Sequence, residues 1–250
     1  MARASAHDPV RSRGASKRAV DRMAPTPTVR LRDAERSRVA ILDAATRLFA
    51  AHGYDGASLS EIGAAAGLSR GAPGYLFGSK QSLYGDVLTA VFNTRQQATE
   101  HVFARVRAWC ESDSELAQLR PALTAAAEGY MSFLHKHPAF VALIMREELD
   151  GGSRLKRASR ASTAMDDAFQ ALRRAGPDRG LRAFQVPEAV LLFVSLTFAP
   201  FSYRHTLLRS VGLELTSERG RRRQARLTAA QLMNLTAGPG KRASATSTAS

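Results

Sequence analysis

Cysteine, tryptophan and acidic charge are all scarce in this chain of 250 residues. The lone cysteine, Cys110, excludes an intramolecular disulfide and a cysteine-rich structural zinc site, and makes a cytoplasmic location the expectation. The longest apolar run, residues 189–203, contains Pro200 and falls short of the ~20 residues needed to cross a bilayer, so no membrane partner is expected. The basic N-terminus lacks the apolar stretch of a secretory signal. Metal and catalytic patterns are missing as well. His135 and His137 flank Lys136 without any Glu-x-x-His or His-Glu-x-x-His pattern, and a place beside helix-end carbonyls suits them better than a metal. Gly71, Gly74, Gly78 and Lys80 lack the Gly-Lys-Ser/Thr ending and the preceding strand of a nucleotide-hydrolysing loop. No nucleophile and base pair emerges. The sequence points to no enzyme, no cofactor and no metal. Cys110 reads as packing within an apolar helix, with oxidant sensing as the alternative.

What is present suits a folded, soluble chain: 44% apolar and 23% charged residues. The 36 Lys plus Arg outnumber the 22 Asp plus Glu to leave +14, which calls for a polyanion, either nucleic acid or an anionic membrane surface. Residues 1–32 hold eight basic and two acidic side chains and hardly any large apolar ones, too few to offset ordering entropy. They read as a flexible basic arm, with a mitochondrial-type presequence or a start at Met23 as alternatives. Such an arm either enters a minor groove or meets phosphate without sequence choice. Residues 33–84 balance five bases against five acids, so a nucleic-acid reading must rest on placement. Residues 238–250, rich in Gly, Pro, Ala, Ser and Thr, read as a flexible tail.

Placement is informative between residues 33 and 84. Over 33–52, Ile41, Ala44, Ala45, Leu48 and Phe49 form the stripe of a core-facing helix, and Gly53 is suited to a left-handed cap. Ser58-Leu59-Ser60-Glu61 is a capping box that opens a second helix, with Ile62, Ala65 and Ala66 on its buried side. After Gly67, Ser69 is placed to cap a third helix over 69–77. Two short helices joined by a glycine turn form a helix-turn-helix, whose second helix offers its early residues to base edges in a major groove. Arg70 is the long basic side chain there; Gly71 and Ala72 leave room for close approach; Pro73 shortens the helix. Ser79 caps a longer helix with Lys80 in its first turn, a cation opposing the dipole unless a phosphate joins it.

These residues carry a family resemblance. Ile41-Leu42-Asp43-Ala44-Ala45-Thr46-Arg47-Leu48-Phe49, Gly53-Tyr54, the run from Ser58 to Gly71, and Tyr75-Leu76-Phe77-Gly78-Ser79-Lys80 resemble the tetracycline-repressor (TetR) family of bacterial transcription regulators over about 50 residues. The resemblance implies a homodimer that represses from a palindromic operator in double-stranded DNA and leaves it when a small-molecule effector binds the C-terminal domain. It also implies that Ser58 and Tyr75 touch phosphate, that Ser69, Arg70 and Gly71 open the reading helix, and that Lys80 anchors a phosphate. Gly74 departs from the tyrosine common in the family, which removes one contact and with it any copied base preference.

Downstream, helical patterns cover 81–109, 121–136, 139–149, 153–175, 187–208 and 218–235, broken by proline and glycine, so the fold class is all-α. Residues 33–84 form the three-helix DNA-binding domain and 85–237 a helical ligand-binding and dimerisation domain. The helix after Pro187 is apolar on nearly all sides, to be covered by a second subunit or within one. Candidate ligand contacts are Phe92, Phe103, Trp109, Tyr130, Phe133, Met145, Phe169 and Phe193, each with an ordinary core role as the competing reading. Arg219, Arg221, Arg222, Arg223 and Arg226 read as a solvated helix face. A DNA-binding protein without ligand response and a helical-bundle carrier or enzyme are the alternatives.

Overall fold

A computed structural model describes residues 27–155 and 163–236, and every regular element among them is a helix. Residues 1–26 of the expected arm and the expected tail lie outside the described residues. Helix α1 (Pro27–Gly56) starts earlier than the 33–52 expected; at Gly53 (φ 76°, ψ 179°) the backbone leaves the helical region, and the kink sets off a short last turn from the main helix. Its turns up to Arg36 belong to a unit of their own, and the body begins at Ser37. Next come α2 (Leu59–Ala65), α3 (Ala72–Phe77) and α4 (Lys80–Glu111). The C-terminal region holds α5 (Leu119–Lys136), α6 (Pro138–Leu149), α7 (Ala164–Ala175), α8 (Val186–Ser202), α9 (Leu207–Ser210) and α10 (Glu218–Thr236).

Two expected helices are shorter. In place of 153–175, Gly151 and Gly152 at positive φ carry a turn through Leu155, and α7 starts at Ala164 behind a Thr163/Asp166 capping box. In place of 187–208, α8 stops at Ser202 with Tyr203 (φ −104°, ψ 10°) already outside the helical region, and α9 is a separate turn that starts behind Thr206. Pro200 sits inside α8, where it lacks the amide that would donate to the Leu196 carbonyl.

Two apolar cores result. In the first, Ile41, Ala44, Ala45 and Phe49 of α1 meet Ile62, Phe77, Leu83, Tyr84, Val87 and Leu88, joined by Leu143 from α6. The second gathers α4, α5, α7, α8 and α10 around Phe103, Tyr130, Phe169 and Phe193, each such ring contributing about 1.5–3 kcal/mol by its burial. Helix α8 turns Ala189, Phe193, Thr197, Pro200 and Phe201 inward, yet Leu191 is 67% exposed. One chain therefore covers only one side of this helix, against the reading that a single subunit buries it all round.

Candidate DNA-binding interface

The interface starts from a cap. Ser58 is extended (φ −112°, ψ 152°); its Oγ accepts from the Glu61 amide at 3.2 Å, while Glu61 Oε2 accepts from the Ser58 amide at 2.9 Å and hydroxyl at 2.7 Å. These bonds hold the Glu61 carboxyl below its ordinary pKa, helped by the charges of His52 and Lys80. The buried side of α2 differs from the expected one: Ile62 and Gly63 are buried, Ala66 is half-buried and Ala65 is exposed. Close approach explains it. A methyl on Gly63 would lie 2.6 Å from the Ser69 carbonyl oxygen and 3.1 Å from Pro73 Cδ, so α2 crosses the turn at glycine distance.

Helix α3 starts at Ala72 with Gly71 as its cap residue, three residues later than expected, and Ser69 is not a side-chain cap. A helix begun at Ser69 would need residue 73 as its first backbone donor, and proline has no N–H; begun at Ala72, it spends Pro73 among the orphan positions. The Ser69 carbonyl instead accepts from the Ala72 amide at 3.0 Å in a turn. Ser69, Arg70 and Gly71 are consequently exposed ahead of the helix, and Arg70 has no ion pair among the described residues. Tyr75 is 89% exposed, Ala72 half-buried, and Pro73 and Phe77 point inward. Arg38 of α1 holds the far end: Nη1 donates to the Leu76 carbonyl at 2.8 Å and the guanidinium lies 4.5 Å over the Phe77 ring. Gly74 meets nothing nearer than Leu59 Cδ1 at 3.9 Å, so packing does not forbid a side chain there.

Lys80 follows the Ser79 cap, whose Oγ accepts from the Ser82 amide at 3.0 Å. Its Nζ donates to the Asp55 carbonyl at 3.4 Å and sits 4.6 Å over the Tyr54 ring. The α1 end beside it is tied to α6, where Arg146 Nε donates to the Ala50 carbonyl at 3.0 Å and Nη2 to that of Ala51. Neither Arg38 nor Arg146 carries a sequence signal, because each acts across tens of residues.

The ligand candidates separate. Phe103, Tyr130 and Phe169 lie 5.4, 5.5 and 5.8 Å from Phe193, and Phe140 lies 5.2 Å from Phe133 and 5.7 Å from Phe92. Burial pushes the Tyr130 hydroxyl pKa up, and the charge of Arg95 pulls it back. Trp109 is apart, donating to the Glu115 carbonyl at 3.0 Å with Arg179 4.5 Å over its ring. Met145 belongs to neither core and is partly exposed on α6 beside exposed Leu149, with Phe140, Leu143 and Glu147 at the inward positions. His137 stacks on Phe133 at 4.4 Å with Nδ1 2.9 Å from the Phe133 carbonyl, a helix-end placement. Arg221 bonds the Thr216 carbonyl, and Arg219, Arg222, Arg223 and Arg226 are exposed. No helix of the described residues is long and apolar enough to cross a membrane.

A capped helix, a tight turn and a second short helix with an exposed leading edge define a helix-turn-helix DNA-binding protein. Residues 41–87 match the family described as bacterial regulatory proteins, tetR family, and residues 120–230 match the tetracyclin repressor-like C-terminal domain, together well over half of the chain. The HTH-type transcriptional repressor NicS of Pseudomonas putida is 27% identical over 198 residues, covering 77% of this chain and 89% of that protein. A putative TetR-family transcriptional regulator from Mesorhizobium loti shares the fold at TM-score 0.60 and 21% identity, over 82% of this chain and 98% of its own. A TetR-family transcription regulator from Marinobacter aquaeolei does so at TM-score 0.55 and 19% identity, over 83% and 98%. The chain belongs to the TetR family and is a DNA-binding transcription regulator.

Proposed function

We propose that this protein is a dimeric, cytoplasmic repressor that occupies a palindromic operator and releases it when a small molecule binds among the C-terminal helices. Residues 33–84 read DNA and 85–237 sense and dimerise; the protein acts by binding, without catalysis. Ser69, Arg70, Gly71 and Ala72 meet base edges, while Ser58, Tyr75 and Lys80 meet phosphate. The observation that carries this reading is the exposed Arg70, without an ion pair among the described residues, on the turn that leads into α3, with the Tyr75 ring exposed one helical turn on. The name of the Pseudomonas putida relative supports repression. The uncovered side of α8 supports a second subunit. Around Phe193 the aromatic cluster supports an apolar effector site. The Ser58 hydroxyl donates to Glu61 Oε2 in the capping box, so its phosphate contact requires that proton to turn to a phosphate oxygen while Oγ keeps the bond from the Glu61 amide.

The test is capture of genomic fragments on the purified protein, followed by binding of Arg70→Ala to the captured operator. Arg70→Ala costs about 1–3 kcal/mol and relaxes preference at one base step. Unchanged affinity and preference would remove Arg70 from the interface. Metabolites that release the captured fragments identify the effector, and a collection that releases none argues for binding without ligand response.

A further inference from the structure

We infer that Tyr54 is a positioning residue for DNA binding: its ring seats the Lys80 ammonium that grips phosphate, and the C-terminal region holds that ring in place through Arg154. The inference rests on the reading of Lys80 as the phosphate anchor. A lysine is a point charge on a flexible stem, and fixing it in advance removes part of the entropy lost on binding. Here the seat is the Tyr54 ring at 4.6 Å, with the Asp55 carbonyl at 3.4 Å. The ring is itself fixed. Tyr84 meets it edge-on at 5.1 Å, Phe49 stacks at 6.2 Å, and the Arg154 guanidinium lies 4.3 Å over it.

Arg154 is pinned in turn by Asp150 Oδ2 at 2.9 Å and by Glu147 Oε1 at 3.7 Å. Glu147 is fully buried; its Oε1 accepts from the Tyr84 hydroxyl at 2.8 Å, and Oε2 has no hydrogen-bond partner among the described residues. A buried carboxylate so thinly hydrogen-bonded draws on Arg154, its ion-pair partner among the described residues, and that attraction holds the guanidinium in place. From α6 to the DNA-facing ammonium the links run Glu147, Arg154, Tyr54, Lys80. Two cations share one ring, and phosphate arriving at Lys80 relieves that crowding.

The test uses the full chain and the captured operator duplex, with affinity measured across a salt series. Lys80→Ala and Tyr54→Leu each weaken binding by up to about tenfold at low salt and lower the slope of log K against log salt by about one. The double variant loses no more than either single one, and Tyr54→Phe, which keeps the ring, rescues the slope. An unchanged slope in Tyr54→Leu, or additive losses in the double variant, would overturn the inference while leaving Lys80 as anchor. An unchanged slope in Lys80→Ala would overturn the anchor reading and the inference together. One measurement needs no variant: in the unmodified protein the Lys80 ε-methylene proton resonances are shifted upfield by the ring current, and ordinary shifts would refute the seat even if Tyr54→Leu failed to fold.

Discussion

Gln224 Nε2 donates a 2.8 Å hydrogen bond to the carbonyl of Leu196, the acceptor that Pro200 leaves without a helical donor. Helix α10 thus repairs the backbone of α8 with a nearly buried side chain. Gln224→Leu orphans that carbonyl and costs about 1–3 kcal/mol in urea denaturation. In a Pro200→Ala background α8 supplies its own donor, and the same change costs less. Equal costs in both backgrounds would mean that the bond does not compensate the proline.

The close crossing at Gly63 makes a second prediction. Gly63→Ala pushes a methyl onto the Ser69 carbonyl and Pro73, destabilises the fold by about 1–3 kcal/mol and lowers operator affinity. Gly74→Ala has 3.9 Å of clearance in mid-helix and stabilises by about 0.5–1 kcal/mol. Thermal melts that rank the two the other way would contradict this geometry of the turn.

Acid and alkali act through different groups. Glu61 has a folded pKa below its ordinary value, so the stability it contributes is present above pH 4.5 and fades as pH falls through the folded pKa. Ser58→Ala removes the cap, costs about 1 kcal/mol at neutral pH and flattens the acid limb of a stability profile. A limb of unchanged steepness would show that the capping box is not its source.

Tyr84 is shifted the other way. Burial, then the hydrogen bond to Glu147, raise its hydroxyl well above 10, so the unfolded chain loses that proton first and stability falls as pH climbs past 10. Chemical denaturation of Tyr84→Phe between pH 8 and about 11 should show a shallower alkaline decline. Its neutral-pH stability drops as well, because Glu147 loses its hydroxyl donor.

The uncovered side of α8 bears on assembly. Light scattering at micromolar concentration should report about twice the monomer mass, and Leu191→Glu should shift it toward the monomer with loss of operator binding. A dimer indifferent to this change would have its interface elsewhere.

Much of the fold was legible because its signals are local. The Ile41 to Phe49 stripe, the Ser58–Glu61 box and the Ser79 cap act within one or two turns, and each has its expected geometry. The start of α3 was misread, because Ser69 looks like a cap until the missing amide of Pro73 is counted. The exposure of Met145 is not legible, because an apolar helix has no readable inner face when a glutamate, Glu147, occupies a buried position. Arg38, Arg146 and Arg154 carry no sequence signal, and Tyr54 carries only the family resemblance, because each acts through a partner far along the chain.

By itself the sequence determined the helical class, the helix-turn-helix spacing and the caps, since caps, breakers and the 3.6-residue period are short-range physics. Tertiary structure decided which helix faces are covered, that Leu143 of α6 joins the first core, and that Gln224, Arg146 and Arg154 serve groups 28 to about 100 residues away. Those choices follow from close packing and from the need to pair buried polar groups, and neither condition exists until the chain has folded.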